Sequence, residues 1–296
     1  MLWQIPMGID VALHDVIAPA LMKNQAKGGA RTRRLVTMYC LIAFFALSAG
    51  LIMRGADLWS DHVLIVMVVG VFNAFAAYCR WRAVAISLSK TALFTWGDDL
   101  IAMGLSYVVL GEGRVVTLQL GIGITLSLAA IAFSSLMKAR QEPSPESQQP
   151  PRSRLGLWIL LYSIIWGVAN FSVRYCAADG MPLVSFVAAW YGGSLLGAVA
   201  IFVWGGEKEA GSALTRQEKF RIIPLALVVW LSLMTNYWAR MWAPLLVTQP
   251  IYQISEMVFP TLIGFIKFRE FKDLGPLDKT TFAVGFVGAT IIILSF

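Results

Sequence analysis

The chain has 296 residues, 58% of them hydrophobic and only 14% charged, with mean hydropathy +0.69 and net charge +7. An ordinary globular chain carries about 25% charged residues, so this composition excludes a water-soluble domain and indicates an integral membrane protein. The surplus cations are spread over many short polar segments, as membrane topology requires, which excludes a nucleic-acid-binding surface.

The first apolar run, residues 3–22, has no basic start and is interrupted by Asp10, His14 and Asp15. It reads as a retained helix rather than a cleaved signal peptide. Further runs follow at 35–53, 62–82, 91–110 and 116–137, then at 155–176, 182–204, 222–242, 248–267 and 281–296. As helices, all cover most or all of a hydrocarbon core about 30 Å thick. Between the two sets lies ARQEPSPESQQPPRSR, residues 139–154, whose Pro, Ser, Gln and Glu content leaves little to bury and predicts a flexible linker. The chain thus divides into 1–138, the linker 139–154 and 155–296, with five predicted spans on each side. Cys40, Cys79 and Cys176 lie in or near spans without paired spacing, so they predict packing residues rather than a disulfide framework or a zinc site.

Sliding residues 78–112 along by 158 positions lays Arg82 on Arg240, Ala85 on Ala243, Asp98 on Glu256 and Glu112 on Glu270 without a gap. Rare charges inside apolar runs coincide, although overall identity is low. An odd number of spans in each half would insert the second half in the opposite sense to the first. The expected fold is an all-α polytopic membrane protein, ten transmembrane helices arranged as two inverted five-helix repeats around a central cavity.

In this duplicated unit, and in its fourth helix ending in Gly111-Glu112 with the altered counterpart Arg269-Glu270, the chain resembles the ten-helix EamA-like branch of the drug/metabolite transporter superfamily. Gly121 and Gly123 in one final helix, and Gly285 and Gly288 in the other, add to the likeness. It departs where relatives often carry a proline midway along the fourth helix: the second half has Pro260, the first Ala102. The resemblance implies a secondary transporter, often an exporter of amino acids or other small metabolites.

The loops after the odd-numbered spans hold most of the Lys and Arg residues, leaving Arg54, Arg114, Arg174 and Arg240 on the other side. By the positive-inside rule the basic loops are cytoplasmic. A multi-pass protein of a cell membrane, in this reading a bacterial inner membrane, would then have both termini outside, opposite to what the family resemblance implies.

Acids at the centre of a span cost about 2.5–3.5 kcal/mol each on insertion scales, so they mark candidate sites. Asp98 and its repeat partner Glu256 are expected to face one cavity and hold a substrate ammonium or a proton; Asp99 borders the same cavity or contacts a neighbouring helix. Arg82 and Arg240 are candidate carboxylate partners. Alternatively they form buried ion pairs with those acids or snorkel to the interface, while Arg80 and Lys90 are expected at the interface. Asp10 and His14 lie one turn apart; with Asp15 they suggest a proton relay or a polar contact such as Asp15 with Arg174. Trp96, Trp166 and Trp190 are the expected aromatic walls, with Asn170 a cavity donor or an interhelical contact. Gly193 and Gly197 predict close packing within the bundle.

No P-loop, GxSxG or HExxH is present, so no enzyme activity, cofactor or metal is expected. The leading expectation is a secondary active transporter, an exporter of a small zwitterionic or cationic, amino-acid-like metabolite, with proton coupling available. The lipid bilayer is its other partner, and a monomer suffices. A non-transporting membrane sensor or assembly subunit of the same fold is the alternative.

Overall fold

The structure, a computed structural model, describes residues 3–26, 30–52, 61–95, 97–112, 152–210 and 213–269, with short pieces at 117–119, 121–122, 125–126, 276, 279–280, 283–284, 287 and 290–291. Most of the predicted fifth and tenth spans, nearly all of the linker, and Trp96 and Glu270 lie outside the described residues.

Among the described residues all regular structure is helical. Helix α1 covers Gln4–Ala26, α2 Arg31–Ile52, α3 Val63–Ile86, α4 Leu88–Phe94, α5 Gly97–Val109, α6 Arg152–Ala178, α7 Leu183–Ala210, α8 Arg216–Trp242 and α9 Leu245–Ile266. Six of them (α1, α2, α3, α6, α7 and α8) include segments long and apolar enough to cross a membrane. Their outward faces are greasy: Leu51 is 77% exposed, Leu64 69% and Trp204 78%. Such surfaces suit hydrocarbon and would be a liability in water.

Contacts at the helix ends set direction. At one end Arg34 at the start of α2 pairs with Glu218 at the start of α8 at 2.8 Å, and Lys23 near the end of α1 donates to the carbonyl of Val84 near the end of α3 at 2.7 Å. At the other end His62, just before α3, meets Asp179, just after α6, at 2.6 Å, and Tyr237 near the end of α8 reaches the carbonyl of Met181 before α7. The first end carries Arg31, Arg33, Arg34, Arg216, Lys219 and Arg221 and is the basic end. Accordingly α1 and α3 run toward the basic end, and α6 and α8 run away from it.

Inside a bilayer, burial of apolar surface gives helices no net attraction, so close backbone approach and interhelical hydrogen bonds hold the bundle. The α3–α7 seam shows both. A β-carbon on Gly193 would stand 2.0 Å from the Met67 carbonyl oxygen, and one on Gly197 2.4 Å from that of Val71. From the other side, a β-carbon on Gly70 would stand 2.2 Å from the Trp190 carbonyl oxygen. The small residues therefore serve packing within the bundle, as the spacing predicted. Asn73 bridges the seam, donating to Ser194 Oγ at 2.9 Å and to Tyr39 Oη at 3.3 Å.

Two departures from regularity matter. The predicted single span at 91–110 is two helices, α4 and α5. It starts earlier, at an extended Ser87 whose hydroxyl accepts from the Lys90 amide, and it breaks at Thr95, whose carbonyl accepts from the Asp98 amide and from Ser163 Oγ. Gly97, a poor helix former pressed on Ser163, follows the break, so the chain turns there without a proline. In α1, residues Ala12–Ile17 form a π turn, with the Ala18 amide bonding five residues back to Leu13. Pro19 accounts for it: lacking an N–H and crowding the carbonyl four residues earlier, at Asp15, it prevents the regular ladder.

Candidate functional site

A cavity opens between the middles of the helices, with about 90 Å³ available to the centres of water-sized molecules. That is room for several waters or part of a small polar solute. Helices α1, α2 and α3 line one side, and α6, α7, α8 and α9 the other. Tyr162, Trp166 and Trp190 make an aromatic wall. The Trp166 ring is near-parallel to those of His14 and Tyr162, with centroids 6.4 and 6.1 Å away, and meets Trp190 edge-on at 6.2 Å.

The π turn determines what α1 presents. His14 and Asp15, adjacent in sequence, both meet α9: His14 Nε2 lies 2.9 Å from Glu256 Oε1, and Ser255 Oγ donates to Asp15. One turn earlier, Asp10 accepts from Ser232 Oγ at 2.6 Å and from Asn236 Nδ2 at 2.7 Å, both on α8. The other ring nitrogen of His14 lies 3.2 Å from the same Ser232 hydroxyl. Asp10 and His14 are thus joined through α8. Asp15 does not reach Arg174, because Arg174 donates to Glu112 at 2.9 Å instead.

Arg80 projects into the cavity, and its placement corrects the expectation of an interfacial residue. Nη1 donates to His14 Nε2 at 3.0 Å and to Tyr162 Oη at 3.2 Å, while Nη2 lies 3.9 Å from Glu256. Arg82, two residues on, turns away: it donates to Tyr78 Oη at 2.7 Å and lies over the rings of Tyr78 and Trp158. Residues two apart point about 200° apart around a helix, so both cannot face one cavity.

Arg240 does line the cavity, buried to 1% exposure, but its partners are not acids. It donates to the Asn170 carbonyl at 2.5 Å, to Asn170 Oδ1 at 3.3 Å and to Gln249 Oε1 at 3.0 Å. Gln249 in turn donates to Asp99 Oδ1 at 2.5 Å, so Asp99 is tied through one side chain to the cavity wall. Neither proposed acid–base pair of the repeat, Asp98 with Arg82 or Glu256 with Arg240, is formed as a hydrogen-bonded ion pair. Glu256 lines the cavity, whereas Asp98 lies behind the wall, fully buried, with no hydrogen bond to either carboxylate oxygen among the described residues, in the electrostatic fields of Asp99, Glu256 and Arg80.

Two buried acids, Asp10 and Glu256, line the cavity with Arg80 and Arg240, and three more, Asp15, Asp98 and Asp99, are buried within electrostatic reach of Glu256. Ligand atoms of His14, Asp15 and Glu256 converge within 4.8 Å of one another. Arg80 already brings positive charge to 3.0 Å from the His14 ring nitrogen, so the cluster is arranged as a hydrogen-bond junction rather than an ion cradle.

Sequence reasoning missed Arg80, Ser232, Gln249, Tyr252 and Ser255. For Arg80 a signal existed: Asn73, Ala77 and Arg80 recur at helical spacing on one face of α3, and all three line the cavity. Hydroxyl and amide residues in apolar runs carry no comparable signal.

Fold and site together define a polytopic helical membrane protein with a charged central cavity. No family model and no curated protein matches the chain. Twenty chains of solved structures do match. One of them, described only as "Crystal structure of protein", is 16% identical and superposes with a TM-score of 0.66 over 99% of this chain and 96% of its own. The likeness extends over the whole length and is one of fold.

Proposed function

We propose that the protein is a secondary active transporter, an exporter of a small zwitterionic or cationic metabolite of amino-acid type, built as two inverted five-helix repeats in the manner of EamA-like transporters. The observation that carries this is the cavity itself: a space for several waters between helices of both halves, with acids and arginines on facing walls. Intramembrane charges are expensive and are retained where they line a solute path. An ammonium group would be held by Glu256 or Asp10, a carboxylate by Arg80 or Arg240, and the apolar part by Trp166 and Trp190.

The opposite directions of α1 and α6, and of α3 and α8, support an inverted repeat. So does a backbone detail: in the 158-residue register Gly111 falls on Arg269, and both adopt left-handed conformations, with φ 65° and 57°. The concentration of cations at one end supports placing that end in the cytoplasm and the N-terminus outside.

The trial is efflux from vesicles reconstituted with the purified protein and loaded with a mixture of neutral and basic amino acids. Release under a pH or solute gradient, abolished by Asp98→Asn with Glu256→Gln, is the expected result. No release of any solute under either gradient, or flux unchanged in the double variant, would overturn the proposal.

A further inference from the structure

Four groups in this cavity stand in single file: Asp10 Oδ1, Ser232 Oγ at 2.6 Å, His14 Nδ1 3.2 Å beyond it, and, across the imidazole, Glu256 Oε1 at 2.9 Å from Nε2. We propose that this file is a proton relay carrying one proton between Glu256 on α9 and Asp10 on α1, and that it is the coupling path of the transporter; the proposal rests on the transport reading above.

Counting donors and acceptors leads there. Ser232 has one hydroxyl hydrogen and gives it to Asp10, so toward His14 its oxygen can only accept, and Nδ1 carries a hydrogen. Nε2 then presents a lone pair. Arg80, which can only donate, uses it at 3.0 Å. Glu256 Oε1 faces the same lone pair, and two acceptors do not sit face to face at 2.9 Å unless one of them carries hydrogen. The contact therefore holds a proton. Charge counting agrees: Asp15, Asp98 and Asp99 are buried within electrostatic reach of Glu256, and a proton held at the Glu256–His14 contact lessens their mutual repulsion.

Transfer is balanced and moves no electrons. The Oε1–H bond of Glu256 breaks as Nε2–H forms, Nδ1–H breaks as a new Ser232 O–H forms, and the original Ser232 O–H breaks as Asp10 Oδ1–H forms. His14 ends as the other neutral tautomer, Glu256 as a carboxylate and Asp10 as a neutral acid. The consequence reaches beyond the relay: Nε2 no longer accepts from Arg80, whose Nη2 already stands 3.9 Å from Oε1, so α3 is drawn to α9. The site for a substrate ammonium moves at the same time, from ionised Asp10 to ionised Glu256. Asp15, on α1 itself, Asp98 and Asp99 on α5, and Arg240 on α8 set the surrounding field. Tyr162 on α6 and Tyr252 on α9 also face it. Among the described residues the His14 ring has hydrogen-bond contacts only with Ser232, Arg80 and Glu256.

The chain has only two histidines, so ¹⁵N-imidazole labelling of the full-length His62→Gln protein in lipid vesicles isolates the His14 signal. Its two nitrogen shifts are followed from mildly acidic to mildly alkaline pH. The relay requires that Glu256→Gln change the Nε2 response and Ser232→Ala that of Nδ1; identical titrations in all three proteins would overturn it. In the efflux assay, proton movement read by a trapped pH dye should slow about 100-fold in Ser232→Ala, the scale of one lost proton-transfer group, and recover in Ser232→Thr. Solute flux that continues with wild-type proton movement in Ser232→Ala refutes the relay while leaving the transport reading intact. Absence of all solute flux alongside variant-sensitive His14 shifts refutes the transport reading while leaving the proton site in place.

Discussion

Removal of the Glu112 carboxylate should unfasten the two halves at the end opposite the basic one. This side chain accepts from Ser106 Oγ at 2.5 Å, from Arg174 Nε at 2.9 Å and from the Leu245 amide at 3.0 Å, the last of these capping the first turn of α9. The preceding residue makes the approach possible: Gly111, at φ 65°, swings the chain back toward α9, a conformation that costs a residue with a β-carbon about 1–2 kcal/mol. Glu112→Ala loses the cap, about 1 kcal/mol, and leaves Arg174, whose side chain is only 15% exposed, without its counter-ion. Breaking such a pair costs about 3–5 kcal/mol; the low end applies because Arg174 still donates to the Arg240 carbonyl. The expected loss is therefore about 4 kcal/mol. Glu112→Gln, which keeps one acceptor oxygen, should lose about half as much. Unfolding in mixed micelles by added SDS measures both. Adding Arg174→Met to Glu112→Ala should restore about 3 of those 4 kcal/mol, because the unpaired charge goes with it and only the cap stays lost. If Glu112→Ala unfolds within about 0.5 kcal/mol of wild type, the ordinary scatter of surface substitutions, the carboxylate is not the fastening described.

Two further outcomes test the bundle and its orientation. Gly193→Ala should destabilise by about 1–3 kcal/mol, the cost of overpacking, since its β-carbon meets the Met67 backbone, whereas Gly192→Ala, with nothing within 4 Å, should be neutral in the same assay. In a cysteine-free background, Asp179→Cys in intact cells should react with an impermeant maleimide and Arg216→Cys should not; the reverse labelling would place the basic end outside.

Apolar length was the strongest signal in the sequence, and it found the helices because a backbone in hydrocarbon has no other way to satisfy its hydrogen bonds. It placed their ends less well. Helices α1, α2, α3 and α8 run past the predicted spans at the basic end, through Lys23–Ala26, Arg31–Arg34, Ala83–Ile86 and Arg216–Arg221. In α1, α2 and α8 charged residues continue the helix beyond the hydrocarbon, and a search for apolar runs stops short of them; in α3 the run was cut at Arg82, although apolar residues follow it. The break at Thr95 was hidden for the opposite reason: the residues around it are apolar enough to read as one span, and the cause, a serine of α6 against Gly97, is a tertiary contact.

The proposed internal repeat located buried charge better than what that charge touches. Matching Arg82 to Arg240 and Asp98 to Glu256 compares positions along the chain, whereas a cavity is defined by angle around each helix. In α3 the match selected Arg82, whose side chain packs on Tyr78 and Trp158, and passed over Arg80, two residues away and on the opposite face. In α1 the π turn moved the faces themselves, bringing His14 and Asp15 together onto α9, which a regular 3.6-residue period does not do. A repeat drifts in rotation wherever one copy has a proline or π turn that the other lacks, so symmetry in sequence need not produce symmetry in the site. The asymmetry has a chemical consequence here: His14 belongs to the first half alone, and it is the group that joins the acid of one half to that of the other.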